Sequence, residues 1–117
     1  MAKTQKPNKL PDLYRLRIYD NFPYMDEDEA YNHGQFDTYQ EARKAAEQIV
    51  DDYFKNEYKP GMTLQQLQGS GYTMYGDKPV IVLPDGTYDS TFSAWAYAEK
   101  ESPKKVWRKM RSQETVN

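Results

Sequence analysis

The sequence predicts an α+β fold: a small, mainly antiparallel sheet of three or four strands, with one long helix and two or three shorter ones packed on it. Three observations carry that prediction. Residues 38–59 repeat apolar side chains at steps of three and four. Residues 13–19 alternate and residues 80–83 are continuously apolar, which are the two signatures of strands. The segments between and after these runs carry helix caps and glycine stops.

The long helix is the element the others must cover. Tyr39, Ala42, Ala46, Ile49, Val50, Tyr53 and Phe54, with Ala45 beside them, share one face at helical spacing. Thr38 and Glu41 stand three apart as a capping box, with Phe36 just upstream, and Pro60 and Gly61 end the run. Some twenty residues rising about 1.5 Å each give roughly 30 Å, enough to cross a small sheet.

Taken in order, residues 13–19 predict a strand that turns Tyr14, Leu16 and Ile18 toward that helix. Residues 20–34 predict a long loop, with five acids and no base between Asp20 and Glu29. Thr63 and Gln66 form a second capping box on a short helix that Gly69, Ser70 and Gly71 close. Residues 72–75 read as extended or irregular, and Gly76, Asp77, Lys78 and Pro79 as a turn into the strand at 80–83. Pro84, Asp85 and Gly86 suit a tight reversal, so residues 87–92 are expected to return antiparallel as a hairpin. Ser93 caps a helix whose Ala94, Tyr97 and Ala98 are spaced for burial alongside Trp95. Ser102 and Pro103 read as the cap and first-turn proline of a last helix, with Val106, Trp107 and Met110 on one side.

At 117 residues the chain suits one domain. The organisation predicted is a flexible basic tail over residues 1–11, a single α+β domain over 12–101, and a basic amphipathic helix and tail over 102–117. Leu, Ile, Val and Phe together fall below the roughly 20% typical of folded chains. Eleven Tyr and two Trp replace them, and the net charge is only −2, so a thin, aromatic-rich core is expected. The absence of Cys excludes disulfides, thiolate metal sites and a Cys nucleophile. The amino-terminal residues hold no apolar run of signal-peptide length and no segment approaches membrane-spanning length, so a cytoplasmic location is expected, with no membrane partner.

Several constellations bear on chemistry. Asp20, Asp26, Asp28 and Glu29 offer oxygen ligands, but their spacing lacks the glycine and terminal glutamate of a calcium loop, so no metal is assigned. His33 is the only histidine and nothing sets a serine such as Ser70, Ser90 or Ser93 beside it; its place next to Gly34 marks a turn residue. Gly69-Ser70-Gly71 lacks the lysine of a phosphate loop. No catalytic set and no cofactor site is expected, and the protein is read as a non-enzyme. Six bases against one acid between Lys100 and Arg111 surround Trp107, in a pattern open to nucleic-acid contact or to docking of Val106, Trp107 and Met110.

From Tyr14 to Glu99 the chain carries Asp20-Asn21-Phe22 with Tyr24-Met25-Asp26, Phe36-Asp37-Thr38, Ile49-Val50-Asp51, Tyr75-Gly76 with Pro79 and Ile81, and Phe92-Ser93-Ala94-Trp95 with Tyr97-Ala98. In these residues it resembles a family of small uncharacterised bacterial proteins with no established activity. Pro23 stands where that pattern has a His, and the basic segment after Glu99 lies outside it. The resemblance implies a compact bacterial or phage-borne domain.

The function expected is that of a small interaction protein, an inhibitor or accessory factor that meets a protein partner through Tyr-rich and charged surface. The candidate contact residues are Phe22, Tyr24, Asp26, Asp28 and Tyr31 in the acidic segment, and Lys104, Lys105, Trp107 and Arg108 in the last helix. The alternatives are a nucleic-acid-associated protein using its basic termini and a small-ligand or nucleotide binder. Separation of basic ends from an acidic middle also allows self-association.

Overall fold

The computed structural model describes residues 13–21 and 30–114. They form an α+β fold in the order β1 (Tyr14–Asp20), β2 (Tyr31–Phe36), α1 (Tyr39–Glu57), α2 (Leu64–Gln68), α3 (Tyr72–Tyr75), β3 (Asp77–Val82), α4 (Ala94–Lys100) and α5 (Ser102–Glu114). The sheet runs β2-β1-β3 and both pairings are antiparallel.

Alternation in β1 has the expected result. Leu16 and Ile18 are buried with Ile81 of β3, and Tyr14 packs against the same cluster, its ring edge-on to Tyr39 with centroids 6.1 Å apart. Ala42, Ala46, Val50 and Phe54 are the fully buried stripe of α1. Each large aliphatic or aromatic side chain enclosed in this way contributes about 1.5–3 kcal/mol by leaving water. Ile49 and Tyr53, at the margin of the stripe, are only half-buried. Both capping boxes form: Thr38 accepts from the Glu41 amide and Glu41 returns to the Thr38 amide, and Thr63 and Gln66 repeat the arrangement. No helix among the described residues is long and apolar enough to cross a membrane.

Five local expectations are corrected. Tyr31–Phe36, of which residues 31–34 are expected within the long loop, is a strand, and His33 is a strand residue rather than a turn residue. β2 pairs with β1 through Tyr14↔Phe36 and Arg15↔Gln35, then slips so that Leu16 faces His33, leaving Gly34 as the extra residue of a bulge. Gly34 takes φ +74°, and a Cβ there would lie 2.7 Å from Phe36 Cζ. Residues 72–75 are a helical turn, and β3 begins at Asp77 rather than Val80, its Pro79 opposite Ile18. Pro79 is tolerated because β3 is an edge strand of the sheet.

The fourth correction concerns the hairpin. The reversal at 84–86 forms, with Leu83 N–H donating to Thr87 at 2.8 Å, but pairing stops after one bridge, Val82↔Tyr88. Asp89 ends it. Its carboxylate accepts from the Thr91 and Phe92 amides and from the Thr91 and Tyr39 hydroxyls, so the chain turns into α4. The fifth is Ser102, which begins α5 but does not cap it, because its hydroxyl points to Asp51.

Candidate interaction surfaces

The helices are tied together around one buried acid. Asp51 projects from α1 beside the apolar stripe, 4% exposed, and α4 and α5 close over it. Its Oδ1 accepts from the Tyr97 hydroxyl at 2.9 Å and the Ser102 hydroxyl at 2.7 Å, while Lys105 Nζ stands 2.8 Å from Oδ2. The same ammonium donates to Tyr97 Oη at 2.9 Å. These bonds set the proton affinities. The hydrogen bond to Asp51, then that to Tyr97, raises Lys105, and burial pushes Tyr97 up to about 12. A lysine held protonated is no general base, which needs its affinity lowered toward neutrality. Ser102 is fully buried, so no substrate reaches its hydroxyl. The group is therefore an interhelix lock. Farther along, the Tyr58 hydroxyl donates to Glu114, fixing the end of α5 to the end of α1.

A second clamp holds the end of β1 beside the start of β3. Asn21 is buried directly after β1; its side chain donates to Tyr72 O at 2.9 Å and accepts from Trp95 Nε1 at 3.1 Å. Tyr72 in turn donates to Asp77 O at 2.5 Å, and burial raises its hydroxyl. Asp20 and Asp77 face each other in register beyond it. Burial and then the charge of Asp20 raise Asp77, and burial followed by both carboxylates raises Tyr31. Among the described residues, no three acids or histidines gather to hold a metal ion.

The surface presented by this frame has two parts. On the sheet, β2 is an edge strand among the described residues, and Tyr31, Asn32, His33, Gly34 and Gln35 are all exposed. The sheet face turned from α1 carries Arg15, Arg17 and Tyr19 of β1 with Lys78, Val80 and Val82 of β3. Arg17 donates to Asn32 at 3.2 Å and the Tyr19 and Tyr88 hydroxyls are 3.3 Å apart. A shallow hollow of about 420 Å³ opens there between Tyr19, Lys78, Pro79, Tyr88 and Phe92. On the helical side, α5 turns Lys104, Arg108, Lys109 and Arg111 to solvent.

The sequence-predicted contact residues thus divide. Phe22, Tyr24, Asp26 and Asp28 lie outside the described residues. Tyr31 stands on the edge strand, 52% exposed. Lys104 and Arg108 are exposed on α5. Lys105 is engaged by Asp51, and Trp107 is half-buried with its Nε1 donating to Met62 O at 2.8 Å, so neither is presented as free surface. Of the serines weighed beside His33, Ser93 caps α4 and the Ser70 hydroxyl is enclosed without a partner, and no serine bonds to His33 among the described residues. Sequence reasoning missed Asp51, Ser102 and Asn21 as organising residues. The available signal was an acid directly after Ile49-Val50 on the buried side of an otherwise amphipathic helix.

No protein-family model matches the chain, and no curated protein and no solved structure matches it either.

Proposed function

We propose that the protein is a small non-enzymatic interaction module, accessory or inhibitory in role, that holds an extended segment of a protein partner along the outer edge of β2. The observation that supports this reading is the exposure of every residue from Tyr31 to Gln35 in a strand that lies, among the described residues, at an edge of the sheet. An edge strand offers its outward N–H and C=O groups as a template, and a partner strand gains main-chain hydrogen bonds there while neighbouring side chains read its own. Natural edges are commonly guarded by Lys, Glu or Pro; Tyr31-Asn32-His33-Gly34-Gln35-Phe36 has none of these. The bulge at Gly34 leaves Tyr31 to His33 as the straight run. Tyr31 supplies a large amphipathic contact at low entropic cost.

Proline scanning tests the reading. Adjacent strand residues point their N–H groups in opposite directions, so of Asn32→Pro and His33→Pro one removes a bond to β1 and the other an outward donor. The variant that keeps the native melting temperature is the outward one. Capture of a partner from the native host should be lost in that variant. Capture that survives it would exclude strand addition at β2.

A further inference from the structure

We propose that α5 is a second, independent binding surface, which takes the phosphodiester backbone of a duplex nucleic acid without reading its sequence. Lys104, Arg108 and Arg111 follow one another at steps of four and three, so they form a single stripe with charges roughly 6 and 4.5 Å apart along the axis. Lys109 flanks it. All four are exposed, and among the described residues none has a carboxylate partner. Lys105, one position over, is the contrast: its charge is spent on Asp51. The chain is acidic overall at −2, but charges more than about 8 Å away are largely screened at physiological ionic strength, so the local stripe governs contact.

What surrounds the stripe selects the ligand. A membrane-binding helix needs a free apolar face, and here Val106 is buried in the core while Trp107 and Met110 pack, partly buried, against it. A protein interface centres on an aromatic or apolar anchor, and the stripe presents none. Single-stranded nucleic acid is held by stacking on exposed aromatics. The one aromatic of α5, Trp107, has its N–H on Met62 O and Arg111 over its ring at 4.8 Å. What is left is a row of cations without readout groups, the chemistry of backbone contact with a duplex.

The full chain should bind a random-sequence DNA duplex of about two turns with a steep salt dependence. Four neutralised phosphates give a slope of log affinity against log salt of about −3.6, or a loss of about 10²-fold between 50 and 200 mM. K104E/R108E should flatten the slope by about 1.8. K44E/K59E, the same charge change on the exposed surface elsewhere, should leave it unaltered, and thermal melting checks that both variants stay folded. No binding at 50 mM salt, or a slope indifferent to K104E/R108E, overturns the proposal. So does tighter binding to the single strand, or binding to phosphatidylserine vesicles without binding to duplex. Capture of a protein through β2 is unaffected by any of these results.

Discussion

Lys105 Nζ lies 2.8 Å from Asp51 Oδ2, an ion pair in which the carboxylate is buried at 6% side-chain exposure while the lysine side chain keeps 58%. The asymmetry predicts unequal consequences. Asp51→Ala strips the acceptor from Tyr97, Ser102 and Lys105 together, and should cost about 3 kcal/mol, the lower end of the range for breaking a buried pair. Lys105→Met leaves a carboxylate that still accepts two hydroxyl protons, and water can enter where the ammonium stood. Its cost should be nearer 1–2 kcal/mol, discounted for that solvent access. Urea denaturation of the single and double variants measures both values and their coupling. Equal, small losses would mean that α5 is held by Val106 and Trp107 alone.

The same cluster predicts an alkaline limit. Burial pushes Tyr97 up to about 12 and raises Tyr72, while the bond to Asp51 raises Lys105. In the unfolded chain Tyr and Lys lose their protons near pH 10. The folded state holds these protons more tightly, so their contribution is complete below about pH 10 and is lost as pH climbs toward 12. The urea midpoint should therefore be level from about pH 7 to 9.5 and then fall, with tyrosinate absorbance rising as the protein unfolds. A midpoint that holds to pH 12 would show that these groups ionise freely in the fold.

In the core, the half-burial of Ile49 changes which substitution matters. Phe54→Ala and Val50→Ala remove enclosed side chains, and Phe54→Ala should cost about 3–5 kcal/mol. Ile49→Ala lies on the rim of a shallow hollow with Tyr53, Asn56 and Tyr75, where water already reaches, and should cost about 1–2 kcal/mol. Thermal melts that rank Ile49 with Phe54 would place the centre of the stripe elsewhere.

Which parts of this were readable from the residues follows from where the information sits. α1 and both capping boxes are local patterns, and β1 alternates because one face is buried, so all were legible. β2 was not, because an edge strand exposed on both faces has no apolar alternation and Tyr-Asn-His-Gly resembles turn chemistry. The return strand failed for the opposite reason. Its Thr and Tyr favour pairing, but the Asp89 carboxylate takes the next amides and Tyr39 from the other side of the chain. In the candidate surfaces, Lys104 and Arg108 were readable as exposed bases. Lys105 looked identical to them, because its partner Asp51 is distant in sequence and visible only once α1 and α5 are packed.

The bulge joins fold to proposed function and supplies the last prediction. Gly34 is left-handed at φ +74°, and its missing Cβ is the space that Phe36 occupies, 2.7 Å from Cζ and 2.9 Å from Cε2. Gly34→Ala must both strain the backbone and displace the ring, so it should lower stability by about 1–2 kcal/mol even though the residue is exposed. Phe36 covers the start of α1 against Tyr14 through the pairing Tyr14↔Phe36, so its displacement should also loosen β2 from β1. Amide exchange would show this as lost protection at whichever of Arg15 and Leu16, where the register slips, turns its N–H toward β2, while its neighbour, turned toward β3, stays protected. If strand addition at β2 is the mode of binding, the loosened edge should weaken partner capture in the same variant. A G34A protein with native melting temperature and native exchange would mean that β2 pairs without the bulge, and the edge would then be one strand residue longer than the register here allows.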